Sequence, residues 1–232
     1  MKGDEESMKI QFDLEIENLK HMLIDMATAA DKMIELSNLI FLERDYMLVD
    51  EVYDIEDKVN HLEVDIEKTC VSLIARHQPT ASDLRLIVAV IQMSNQLERL
   101  GDLAVNVAKR YKDIAKIPPH LFPADLRSLV TVSSQMVKDA MTAFIDRDAK
   151  MAHEICLKDD WVDMANRKIW KEFIRKIVEN GIDLETGFEM LMTSKQYERI
   201  ADCATNLAEE VIYYLNGENI KHRFQEETTE PS

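Results

Sequence analysis

The chain has 232 residues, with 44 Asp and Glu against 28 Lys and Arg and a formal net charge of −16. That balance argues against nucleic acid as a partner, because phosphate contacts need clustered Lys and Arg, and equally against docking on anionic lipid. Only five glycines and five prolines interrupt a composition dominated by Leu, Ile, Val, Ala, Met, Glu and Lys, which is the composition of helices.

Residues 1–7 are polar and acidic with no apolar signal-peptide core, so they are expected to form a flexible tail on a cytoplasmic protein. A first helix follows on a heptad seam: Ile16, Leu19, Leu23, Met26, Ala30, Met33, Ser37 and Ile40 recur at alternating steps of three and four. Such a seam predicts near-parallel packing in a left-handed bundle. After a polar joint at Arg44-Asp45, a second helix carries the seam Val52, Ile55, Val59, Leu62, Ile66, Thr69 and Leu73. The run Arg76 to Asp83 breaks the pattern, and Thr80 followed by Asp83 reads as a capping box that starts a third helix. This helix is expected to reach about Ala115 and to end at Pro118-Pro119. Its uncharged run Leu86 to Leu97 falls well short of the roughly 20 residues that span a bilayer.

A fourth helix is expected from Ala124 to a joint at Asp146-Arg147-Asp148, which echoes Arg44-Asp45. A fifth spans about Lys150 to Val178 and closes at Asn180-Gly181. Asp183 caps the sixth, which ends near Leu215 before Gly217; residues 218–232 read as a second flexible tail. The organisation is all-α: two tandem, internally duplicated three-helix bundles, one over 8–117 and one over 118–217. Cys70, Cys156 and Cys203 are far apart with no CxxC spacing, which reads as buried, reduced thiols.

The duplication is most visible in two near-copies, Gln96-Leu-Glu-Arg-Leu-Gly-Asp-Leu-Ala-Val-Asn106 and Gln196-Tyr-Glu-Arg-Ile-Ala-Asp-Cys-Ala-Thr-Asn206. Glu98, Asp102 and Asn106, and likewise Glu198, Asp202 and Asn206, stand four residues apart and form a ladder of oxygens on one helical face. The third helix is apolar nearly all round, and a lone carboxylate in such surroundings is costly to ionise, so it needs a cation, a base or a proton. Glu56, Asn60 and Glu63 lie beside the seam of the second helix; Asp159, Asp160 and Asp163 hold a similar place on the fifth. Two metal sites are expected. One uses Glu56, Asn60, Glu98 and Asp102, with Asn106 as an additional member; the other uses Asp159, Asp163, Glu198 and Asp202, with Asn206 as an additional member. Oxygen-only ligands suit magnesium, manganese or iron and could also hold zinc.

Two other readings compete. The carboxylates could be neutralised by Arg99 and Arg199 through ion pairs, with no metal. Alternatively, the chain could be a carboxylate-bundle metal-storage protein or a di-metal enzyme. The latter class places Glu-x-x-His on two helices, and none of the six histidines has Glu three residues before it. No phosphate loop, nucleophile elbow or Cys/His cluster nominates an enzyme.

The repeated Glu-Arg-Leu/Ile-Gly/Ala-Asp-x-x-x-Asn resembles the signature of the PhoU proteins, accessory regulators of phosphate-specific transport. Val59 to Ile66, Gln78 to Leu86, Asp160 to Asp163 and Tyr213-Tyr214 are similar to the family as well, so the resemblance covers about Phe12 to Gly217. It implies two three-helix bundles side by side, a homodimer, and metal motifs at Glu56–Asn60, Glu98–Asp102, Asp159–Asp163 and Glu198–Asp202. Asn60 departs from the acidic pattern and Ala201 from the usual glycine. It further implies a non-catalytic cytoplasmic adaptor. Such a protein represses the high-affinity ABC phosphate transporter, through its ATPase subunit, and the phosphate-starvation regulon, through a phosphate-sensing histidine kinase.

Overall fold

The computed structural model describes residues 2–117, 124–179 and 181–220. In chain order these form α1 (Lys2–Asn38), α2 (Val49–His77), α3 (Ala81–Lys109), a single turn α4 (Tyr111–Ile114), α5 (Ala124–Asp146), α6 (Ala149–Val178) and α7 (Leu184–Asn216). There is no strand among the described residues. The Pro118-Pro119 stop, Asn180 and residues 221–232 lie outside the described residues. The backbone of α1 runs back to Lys2, through the segment read as a tail.

The heptad seams become the core. Every seam residue of α1 from Ile16 to Ile40 is buried, including Ser37, whose hydroxyl donates to the Ile34 carbonyl at 2.8 Å. In α2, Val52, Val59, Ile66 and Leu73 are buried, and Ile55 and Leu62 pack partly exposed against them. Helices α1, α2 and α3 pack on one another, as do α5, α6 and α7. The two bundles meet chiefly where α3 lies against α7, with α1 touching α5 beside it. This explains why α3 and α7 are apolar on more than one face: each is a member of its own bundle and also half of the seam between bundles.

Across that seam Asn38 at the end of α1 joins three helices. Its amide donates to the Ser134 hydroxyl at 3.0 Å, and its carbonyl oxygen accepts from the buried Tyr197 hydroxyl at 2.8 Å. Tyr197 also packs against Phe41, with ring centroids 5.9 Å apart.

The two polar joints are indeed alike. Arg44 and Arg147 both take left-handed backbone angles, φ 63° and 56°, at a cost of about 1 kcal/mol for a residue with a Cβ. Arg44 then donates a guanidinium hydrogen bond to the Ile117 carbonyl, and Asp148 accepts from the Lys150 and Met151 amides to cap α6. Leu39–Glu43 is a π-helical turn before the first joint, so the first helix is not α-helical up to Arg44 as its period implied.

The third helix is also shorter than expected. It ends at Lys109, where the Arg110 amide turns back to the Val107 carbonyl at 3.2 Å and the guanidinium pairs with Glu189 of α7. Thr80 does start α3, but its hydroxyl donates to the Asp83 carboxylate at 2.7 Å instead of capping a backbone amide. Asp183 caps α7 as expected, accepting from the Thr186 amide at 2.9 Å, and Gly217 ends it at φ 74°.

Candidate metal centre

The burial pattern fixes how the halves correspond. Val52, Val59, Ile66 and Cys70 on α2 take the places that Ile155, Val162, Ile169 and Phe173 take on α6. Leu97, Leu100 and Ala104 on α3 match Tyr197, Ile200 and Ala204 on α7. Glu56, Asn60 and Glu63 therefore correspond to Asp159, Asp163 and Asn166, while Glu98, Asp102 and Asn106 correspond to Glu198, Asp202 and Asn206.

In the first half, Glu56, Glu63 and Glu98 are partly buried between α2 and α3, and Asp102 is exposed above them. Burial pushes the Glu98 carboxyl above its usual range, and the Asp102, Glu63 and Glu56 charges push it further; Arg99 opposes them. Glu63 is raised by burial and by Glu67 and Asp102. These four acids thus form one electrostatic cluster. Glu63 joins this cluster through its charge; Asn60 on α2 and Asn106 on α3 are exposed and bring no charge to it. Glu63 was legible as a seam-side acid; what placed it in the cluster was its position one heptad along from Glu56, pointing at the same stretch of α3.

In the second half, burial first and the Asp163 charge second push the Asp159 carboxyl up, although the Thr205 hydroxyl donates to it at 3.2 Å. Asp163 is raised by burial first and then by the neighbouring Glu198, with Arg167 and Lys195 opposing. Asp202 is raised to about 6, by desolvation first and then by Asp159 and Glu198. The predicted members Asp159, Asp163, Glu198 and Asp202 are therefore brought together. Asn206 is not: its amide donates to Gln96 at 3.2 Å, across the seam between the bundles.

A residue absent from the expected set completes this second cluster. Lys195, one helical turn before Glu198, holds the Glu198 carboxylate in an ion pair. Arg167 donates to the Asp163 backbone carbonyl at 3.2 Å and lies 3.7 Å from its carboxylate. The cations read as competitors, Arg99 and Arg199, are both exposed. The spacing i, i+3 made Lys195 visible as a surface pair; only the depth of Glu198 makes that pair matter.

Among the described residues, no three His, Cys, Asp or Glu side chains converge tightly enough to enclose a metal ion. The first cluster gathers four carboxylates from two facing helices, two of them pushed up by burial and by neighbouring negative charges. The second offers acids that already hold a basic side chain.

The three cysteines are buried, with thiols pushed up to about 12 for Cys70 and Cys156 and about 11 for Cys203, which fits inert packing residues. No helix among the described residues is long and apolar enough to cross a membrane.

Known proteins share this fold. The family profile described as "PhoU domain" matches the chain twice, over residues 23–111 and 126–211. The phosphate-specific transport system accessory protein PhoU homolog of Aquifex aeolicus is 33% identical over 216 residues, covering 93% of this chain and 98% of that one. The crystal structure of PhoU from Pseudomonas aeruginosa superposes with a TM-score of 0.85 at 30% identity, over 89% of this chain and 100% of that one. That of the phosphate transport system regulatory protein PhoU from Streptococcus pneumoniae gives 0.81 at 25%, over 90% and 99%.

Proposed function

The chain belongs to the PhoU family, and from that premise we propose that it is a cytoplasmic accessory regulator of phosphate uptake. It acts as an adaptor, as a homodimer, restraining a high-affinity ABC phosphate transporter through the ATPase subunit. Through a phosphate-sensing histidine kinase it keeps the phosphate-starvation genes off. The observation that carries this reading is likeness over 93% of the chain, in both halves, to a protein named as accessory to phosphate-specific transport. An adaptor needs surface for partners, and α6 carries Leu157, Trp161 and Met164 exposed on one face, at steps of four and three. Binding the repressing state of each partner better than the active one is sufficient for control, and no catalysis by the chain is required.

Within this reading the first carboxylate cluster holds a divalent or trivalent cation such as magnesium, manganese, iron or zinc. Glu56, Glu63, Glu98 and Asp102 supply the charged oxygens, with Asn60 and Asn106 outside them. A bound cation relieves the repulsion that holds Glu63 and Glu98 up, and ties α2 to α3 at a fixed spacing.

The test is capture of the tagged protein from phosphate-replete cells after mild cross-linking, with partners identified by mass spectrometry. Recovery of the transporter ATPase and a membrane histidine kinase supports the adaptor. Recovery of neither, alongside abundant co-purifying iron, would shift the reading to a metal-handling protein on the same scaffold.

A further inference from the structure

We propose that the cleft between α6 and α7 binds a nucleoside monophosphate, whose base pairs with Asn166 and Trp170 and whose phosphate is held by Lys171 and Arg167. The inference stands apart from the adaptor reading and from any cation at the acidic clusters, neither of which it uses.

The cleft is lined by Asn166, Arg167, Trp170, Lys171, Met192 and Lys195 and has a volume of about 420 Å³, within the roughly 300–1,000 Å³ usual for small-molecule sites. Two polar atoms of its lining are buried with no hydrogen-bond partner: the side-chain oxygen of Asn166, a residue only 5% exposed, and the indole Nε1 of Trp170. Such atoms are rare, because each has given up its hydrogen bond to water for nothing in return. One is an acceptor and the other a donor, so a ligand that satisfies both must offer a donor and an acceptor. A nucleobase carries that pair on one edge, beside a flat face that suits Met192 and the Trp170 ring. A water molecule meets both atoms too, but gives nothing to the bases at the rim.

Those bases select an anion. By the correspondence that burial fixes, the lining residues take the places of Glu63, Val64, Glu67, Lys68, Gln92 and Asn95 in the first half. At these positions the first half carries two acids and one base, and the second half three bases and no acid. In a chain of net charge −16 this is a local reversal of sign, and it falls on the cleft. The three bases are not equally available. Lys195 is paired with Glu198, and Arg167 lies 3.7 Å from the Asp163 carboxylate. Lys168 pairs with Asp125 and Arg175 with Glu179, whereas Lys171 between them has no ion pair among the described residues. Lys171 is exposed one helical turn from Arg167 on the same face of α6. One free ammonium with a guanidinium beside it suits a single phosphate, and further phosphates would find no unpaired base left in the lining. The base of the ligand accounts for the two orphaned atoms, and its phosphate for the sign of the rim.

The experiment uses the full chain with Trp161→Phe, which leaves Trp170 as the only tryptophan, titrated with AMP and followed by Trp170 fluorescence and by calorimetry. Saturable quenching with one AMP bound per chain is expected. Adenosine and inorganic phosphate, each lacking part of the contacts, should bind at least about tenfold more weakly than AMP. In the same background Lys171→Gln, at an exposed position, should weaken AMP about tenfold while leaving adenosine binding and the melting temperature unchanged. Asn166→Leu replaces the unpartnered oxygen with an apolar group of similar size; it should weaken AMP and adenosine alike and leave the fold at least as stable. The inference is overturned if AMP gives no saturable signal up to millimolar concentration, which would leave the two orphaned atoms to water. It is overturned equally if adenosine or inorganic phosphate binds as tightly as AMP, or if both variants keep the affinity of the parent.

Discussion

Asp202→Asn is expected to stabilise the protein at neutral pH. The Asp202 carboxyl is raised from its ordinary 3.8 to about 6 in the folded chain, by desolvation and by Asp159 and Glu198, with Lys195 only partly offsetting them. A carboxyl whose folded value lies above its unfolded value binds its proton more tightly when folded. Its contribution is therefore most favourable below about pH 4, falls as pH rises from there to about 6, and stays unfavourable above that. A shift of about two pH units sets a ceiling of roughly 3 kcal/mol. Asp202 is exposed on α7, so water screens much of the repulsion and about 1 kcal/mol is the reasonable expectation. For a chain of this size that is a rise of about 2–4 °C in melting temperature. The assay is thermal and urea unfolding at pH 7.5 and at pH 4, with chelator present so that no cation fills the cluster. The gain should be present at pH 7.5 and shrink to a small fraction at pH 4. A variant less stable than wild type at pH 7.5, or a gain of equal size at both pH values, would refute the argument that Asp202 sits in a negative field that Lys195 only partly offsets.

Other expectations bear on packing. Tyr197→Phe removes the hydroxyl that bonds Asn38 between the bundles and should cost about 1–2 kcal/mol in urea unfolding; no loss would mean that the contact contributes nothing to holding the bundles together. Gly187→Ala puts a Cβ 2.6 Å from Ile177 Cγ1 and 3.2 Å from Ile182 Cδ1, so overpacking should cost about 1–3 kcal/mol. Gly101→Ala meets Met33 at 3.5 Å, an ordinary contact, and the gain in helix propensity should leave it neutral or up to about 1 kcal/mol more stable. The reverse order of these two glycine variants would contradict the helix packing described. Cys70, Cys156 and Cys203, buried and with raised thiols, should resist iodoacetamide at pH 8 in the folded protein and react in urea, as counted by mass spectrometry.

What the sequence made legible was whatever repeats locally. The α1 seam from Ile16 to Ile40, the alike joints at Arg44 and Arg147, the Asp183 cap and the duplicated Glu98 and Glu198 ladders all follow from spacing, and all appear in the fold. What it obscured depends on contacts distant along the chain. The third helix stops at Lys109 where Arg110 reaches Glu189, dozens of residues away, and no local breaker marks the place. Asn206 shares the ladder spacing of Glu198 and Asp202, yet its amide pairs with Gln96 because α3 lies against α7 there. Glu63 and Lys195 were visible as charges but ambiguous as participants, since a helical face can turn an acid or a base toward solvent as easily as toward a cluster. At Gly101 the space around the glycine would admit an alanine, the residue that Ala201 supplies at the matching place on α7.

The central claim is that this chain represses phosphate uptake and the starvation response when phosphate is plentiful. Its most direct test is a phosphate-starvation reporter measured in phosphate-replete medium, in cells lacking the gene and in the same cells carrying it back on a plasmid. The reporter is expected to be switched on by the deletion and returned to its low level by the chain. A reporter that stays low in the deleted cells, or stays high when the chain is restored, would contradict it.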